Sequence, residues 1–271
     1  MSDRLAPSTA KMTTATPDAS TDASAAPALI LLHGAGGNQA MWNPVRRHLD
    51  PRWHVIALDL PGHGSKSDGR YTIAAAVQAV ADEVRKLGGS RVVLVGDSLG
   101  GYTSMAAALA LPPERVAGLA IGGCTQNITG KTLRQLRTRK FMVGIMAALL
   151  GQKRLVAKSA AALVKKGILG QEDVDALVAG GFRLAAWGEA VDSLANRDFL
   201  ADVPRIAAPI LFINGDKDAG PVAGEAAFVA AARHASTQRF ACEHGVSLWM
   251  PAEFADAVNG FVEKLMPKAA A

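Results

Sequence analysis

One serine stands between two glycines, in Gly96-Asp97-Ser98-Leu99-Gly100, at the point where an apolar run ends and an Ala-rich stretch begins. A hydroxyl becomes a competent nucleophile only when a base takes its proton, and the base needs a carboxylate to orient it. Both groups occur downstream. Asn214-Gly215-Asp216-Lys217-Asp218 carries two carboxylates just after the apolar run PILFIN, and Cys242-Glu243-His244-Gly245 carries an imidazole. Serine, acid and histidine in that order are the parts for acyl transfer through a covalent intermediate. Ser98 is then the nucleophile and His244 the base, with Asp216 or Asp218 holding the imidazole; the other aspartate caps the turn, a common job for Asp in such loops. Of the six histidines, His48, His54 and His234 lie where solvated or packing roles suffice. His33 reads as structural, and His63 sits in the turn Leu60-Pro61-Gly62-His63-Gly64.

These residues do chemistry only if the chain brings them to one place. A nucleophile at the tip of a sharp strand-to-helix turn has its hydroxyl exposed, and the residues two before and two after it must be small, as Gly96 and Gly100 are. The helix that follows points its first N–H groups at the same spot, so the Leu99 N–H is placed to hold an oxyanion. The loop His33-Gly34-Ala35-Gly36-Gly37-Asn38 supplies the second expected oxyanion donor, the Ala35 N–H.

The surrounding pattern is that of alternating strands and helices. Apolar runs predict strands at 28–33, 54–60, 91–95, 116–121, 209–214 and, shorter, 238–242. Apolar residues at spacings of three and four predict helices at 71–87, 98–111, near 223–234 and at the C-terminus, where Phe254, Val258, Phe261, Val262 and Leu265 share a face. A short helix is expected at 38–50. Such alternation implies an α/β fold with a mostly parallel central sheet, helices on both faces, and the site at one sheet edge. Residues 125–204 contain no strand signal and are rich in Ala, Leu, Lys and Arg. They read as an inserted helical cap, which divides the core into 28–124 and 205–271.

Composition limits the function classes. Two cysteines, Cys124 and Cys242, form neither a disulfide framework nor a metal spacing, which fits a reduced, cytoplasmic setting. Residues 1–27 are dominated by Ala, Ser, Thr, Asp and Pro, lack the apolar core of a secretion signal, and predict a disordered tail. No apolar run reaches the length of a membrane span. The net charge of +5 is local in origin: residues 115–171 hold eleven Lys or Arg and no Asp or Glu, while the remainder is acidic on balance. That argues against a nucleic-acid binder built on a broad basic surface. Within the segment, FMVGIMAALLG at 141–151 is apolar almost all round and flanked by basic residues. It reads as a cap helix packed on the body, or as the wall of an apolar tunnel with a basic rim, or as a contact to acidic lipid surfaces.

Taken in order, HGAGGN, DLPGHGSKSDG, GDSLGG, NGDKD and EHGVSLWMPAEF resemble the α/β-hydrolase superfamily from about residue 28 to 261. The resemblance implies the α/β-hydrolase fold, favours Asp218 over Asp216 as the acid, and places a helical lid before PILFIN. It implies a serine esterase acting on small to medium apolar esters with no cofactor, as a monomer or homodimer. Relatives also use this fold and triad as perhydrolase-type haloperoxidases, carbon–carbon bond hydrolases, lyases or low-turnover receptors. Two antiparallel strands found in many relatives before the HG loop have no counterpart in residues 1–27. The lysine that the lyase branch carries after its histidine is replaced by Gly245, and Asp97 stands where His, Asn or Phe is common.

Overall fold

The computed structural model describes residues 26–266, so the first 25 residues of the expected tail lie outside the described part. Six parallel strands form one sheet: β1 (Ala28–Leu32), β2 (Val55–Leu58), β3 (Val92–Asp97), β4 (Val116–Gly122), β5 (Ile210–Gly215) and β6 (Ala235–Phe240), in the order β2-β1-β3-β4-β5-β6. β1 and β3, side by side at the centre with β4 next to them, are buried along their full length. This is why their sequences are continuous apolar runs with no polar alternation.

Successive residues of each strand feed opposite cores. Ile30, Leu32, Leu94, Leu119, Ile121 and Phe212 belong to one cluster, Leu29, Leu31, Val93, Val95, Leu211 and Ile213 to the other. The first is covered by α2 (Ile73–Lys86) and α3 (Leu99–Ala110), the second by the short α1 (Asn43–Arg46) and the C-terminal α11 (Pro251–Leu265). Five helices run between β4 and β5: α4 (Gly130–Leu150), α5 (Gln152–Lys165), α6 (Gln171–Ala179), α7 (Leu184–Leu194) and α8 (Phe199–Asp202). The remaining helices are α9 (Ala219–Ala231) and the short α10 (Val246–Trp249).

Three boundaries differ from the sequence reading. The expected helix at 38–50 is a 3-10 turn, Gln39–Trp42, followed by the four-residue α1, with Pro44 in its first turn. α9 starts earlier than expected, directly after Asp218, because Pro221 fits a helix's first turn, where its missing N–H costs nothing. β6 starts at Ala235, before its expected position. It is an edge strand whose residues ASTQRF are mostly exposed, so backbone pairing with β5 defines it and no apolar run marks it.

Candidate active site

Ser98 follows β3 and opens α3 with φ 55° and ψ −112°. A side chain in that region is strained, and the strain persists only where surroundings impose it. Here the imposition is steric. A Cβ on Gly96 would stand 2.4 Å from the Gly100 carbonyl, and one on Gly100 would stand 1.8 Å from the Leu32 carbonyl oxygen. The turn is therefore wedged between β1 and α3, and only glycine allows that approach. The Ser98 N–H is tied to the Gly122 carbonyl at 2.8 Å.

His244 lies in the loop after β6. Its Nε2 is 2.8 Å from Ser98 Oγ, and its Nδ1 is 2.5 Å from Asp218 Oδ2. With the ring proton on Nδ1, His244 donates to Asp218 and accepts from the serine. Three groups separated by up to 146 residues thus form one hydrogen-bonded chain at the C-terminal edge of the sheet. Asp216 takes no part: its side chain is exposed, and its N–H bonds the Phe240 carbonyl.

The imidazole is 48% exposed, toward a cavity of about 840 Å³. Burial pulls its pKa down, but the hydrogen bond and charge of Asp218, with the charge of Asp97 added, outweigh that and raise it above the ordinary histidine value; Arg139 opposes them. Ala35 and Leu99 also line the cavity. Leu99 is the first residue of α3, where N–H groups have no acceptor within the helix. The walls are mostly apolar and include Met41, Leu136, Val143, Phe182, Trp187 and Leu248.

Two histidines brace the first loop. His33 Nε2 accepts the Leu60 N–H at 3.1 Å while Nδ1 donates to the Gly34 carbonyl at 2.8 Å. His63 Nε2 accepts the Gly36 N–H at 3.0 Å while Nδ1 donates to the Pro61 carbonyl. The rings meet edge-on at 4.9 Å. Full burial, with the charge of His63 adding, pulls the His33 pKa down to about 4. The folded value lies below the unfolded one, so the folded chain binds fewer protons between them. Stability contributed by this group is complete above about pH 6.5 and is lost as pH falls toward 4. Urea midpoints measured across that window should fall with pH, and the fall should be smaller in His33→Asn. An unchanged slope would contradict a neutral, buried His33.

Other polar joints were not evident from sequence. Asn214, fully buried, accepts the Gly123 N–H and donates to Thr125 and to Glu225, which in turn pairs with Arg239. That knits the ends of β4 and β5 beneath the histidine. Asp97 Oδ2 accepts from the Ser247 N–H and hydroxyl, joining the turn that carries Ser98 to α10. Asp97 Oδ1 is buried without a hydrogen-bond partner among the described residues. A polar tie also anchors the helices over the site: Arg183 pairs with Glu189, reaches the Gly62 and Gly69 carbonyls, and takes its loop's N–H to Gly36.

A model of the alpha/beta hydrolase family matches residues 29–257, and the chain belongs to that family. It is 38% identical over 110 residues to an uncharacterized protein of Mycobacterium tuberculosis, a match covering 39% of this chain and 32% of that one. The chain thus aligns with about a third of that relative's length. It is 27% identical over 203 residues to a pimeloyl-[acyl-carrier protein] methyl ester esterase of Neisseria meningitidis, covering 70% of this chain and 75% of the other. Among solved structures, MenH from S. aureus superposes with a TM-score of 0.71 at 16% identity, covering 92% of this chain and 97% of that one, a likeness of fold. Among the described residues no helix is long and apolar enough to cross a membrane.

Proposed function

We propose that this chain is a serine hydrolase that cleaves carboxylic esters of small to medium apolar acids through an acyl-enzyme. The observation that carries the reading is the continuous hydrogen-bonded chain from Ser98 through His244 to Asp218 at the floor of an apolar cavity. His244 removes the Ser98 proton as Oγ attacks the ester carbonyl, and Asp218 stabilises the imidazolium that results. The oxyanion is held by the N–H groups of Ala35 and Leu99. Losing one such donor typically costs about 3 kcal/mol of barrier. The imidazolium then protonates the departing alcohol. Water, activated by the same imidazole, releases the acid and restores Ser98.

The helices α4 to α7 act as a cap: they supply most of the apolar wall, which suits an acyl chain and excludes water from the intermediate. The esterase named among the relatives is consistent with an ester substrate, without fixing which one. A series of p-nitrophenyl esters from acetate to decanoate tests the reading. Turnover is expected to rise to a maximum at intermediate chain length, with no requirement for peroxide. Absence of hydrolysis across the series, or turnover only when peroxide accepts the acyl group, would contradict it.

Asp97 is the negative charge beside His244 that Asp218 does not supply. Both approach the same point, since a Cβ on Gly123 would meet His244 Cε1 at 2.8 Å and Asp97 Oδ1 at 3.4 Å. The other charged groups near the ring are Asp218, Arg139 and the exposed Glu243. Asp97→Asn keeps an acceptor for Ser247 but removes the charge. The acid limb of kcat/KM, which reports the neutral imidazole, should move to lower pH, because the charge that helps raise the imidazole pKa is gone. An unmoved limb would reduce Asp97 to a structural tie.

A further inference from the structure

We propose that the outer face of α4 docks on a bilayer surface bearing anionic headgroups, with the helix lying in the plane of that surface. The helix has two different faces. Leu136, Arg139 and Val143 line the cavity. Phe141, Met142, Ile145, Met146 and Leu149 point away from it and are exposed, Phe141 at 68% and Leu149 at 76%. The large exposed apolar residues among those described are these five and Val178. A soluble domain scatters such residues singly; a contiguous ridge marks a contact surface. Residues 141, 145 and 149 repeat every fourth position, so the ridge runs along the helix for about 12 Å.

Charge selects the occupant. Lys131, Arg134 and Arg137 precede the ridge on the same helix and Arg154 and Lys158 follow it on α5, all exposed. No acidic residue occurs between 115 and 171, while the rest of the chain is acidic on balance. Lys140 is neutralised by Asp192 at 2.5 Å, and Arg139 lies over the Trp187 ring, so those two are engaged by α7. A second copy of the chain would oppose like charges across the contact. A soluble polyanion would meet the basic residues and leave the ridge in water. An anionic bilayer takes both: the apolar side chains enter the headgroup boundary and the basic ones lie at its charged plane. Because the same helix walls the cavity, docking would bring ester-bearing lipids to the site mouth, a consequence that rests on the ester-hydrolase reading above.

The test is flotation of the full chain with vesicles of phosphatidylglycerol and phosphatidylcholine against vesicles of phosphatidylcholine alone, at low and high salt. Binding to the anionic vesicles is expected to be at least about tenfold stronger and to weaken with salt. Phe141→Asp/Leu149→Asp should lose that binding by a similar factor, while far-UV circular dichroism and hydrolysis of a short soluble ester are unchanged. Ser98→Ala should bind like the parent, so docking is read apart from turnover; vesicle binding by a parent without ester hydrolysis would keep the docking and remove the esterase reading. No binding to the anionic vesicles, or equal binding to both kinds, would overturn the proposal. So would retention of the double variant on poly-glutamate as strongly as the parent together with its undiminished vesicle binding, or a parent dimer that the double substitution dissolves.

Discussion

Ser98→Ala is expected to lower ester turnover by at least about four orders of magnitude, since removing the nucleophile of such a group alone costs nearly as much as removing the whole set. The fold should survive. The substitution deletes one oxygen that bonds His244 at the cavity floor, and a hydrogen bond of that kind contributes about 1 kcal/mol. Alanine inherits the strained backbone at φ 55° without relieving it, so thermal unfolding should shift by only a few degrees. Stopped turnover with preserved unfolding is the signature of a catalytic hydroxyl. Stopped turnover with lost cooperativity would instead make Ser98 a structural part of the turn, and retained turnover would remove it from the chemistry.

The second large effect concerns stability. Gly100→Ala places a methyl 1.8 Å from the Leu32 carbonyl oxygen, a main-chain atom of the central strand β1 that cannot swing aside. Either β1 and α3 separate or the turn carrying Ser98 changes shape. Overpacking of a tight core costs about 1 to 3 kcal/mol where side chains can yield; with backbone as the obstacle, a loss above about 3 kcal/mol is expected. Gly260 gives the contrast. It lies inside α11 with nothing within 4 Å of an added Cβ, so Gly260→Ala should stabilise by about 0.5 to 1 kcal/mol through helix propensity. Chemical denaturation of the two variants side by side reads both signs. A tolerated Gly100→Ala would mean that the close contact of β1 with α3 is not what shapes the turn.

What was legible in the sequence follows from how local each constraint is. The small residues around Ser98 are a local demand, satisfied within five positions, and they marked the turn without knowledge of the rest of the chain. The buried strands were legible for the same reason: a strand covered on both faces must be apolar throughout. The choice between Asp216 and Asp218 was different. Both end the same strand, and the residues alone left both open; the distance to His244 exists only when the loop after β6 folds back onto the end of β5. The bond from Asp97 to Ser247 spans 150 positions and has no local signature. His33 and His63 read as structural from their own loop and turn, but the edge-on contact that joins the two rings has no local signature. The direction in which 141–149 faces was also hidden, because an apolar run reads alike whether it meets a cavity or water. The polar edge strand β6 was shifted for the complementary reason, since its register is set by partner backbone and its side chains carry little pattern.

The claim at the centre is that the Ser98 hydroxyl is made nucleophilic by His244 and no other serine is. A fluorophosphonate reacts far faster with such an activated hydroxyl than with an ordinary serine, so intact-mass measurement followed by peptide mapping tests it directly. One adduct per chain is expected, on Ser98, formed rapidly in the parent and no longer detected in His244→Ala. An adduct on a different residue, or ester hydrolysis by a parent that stays unlabelled, would contradict the account.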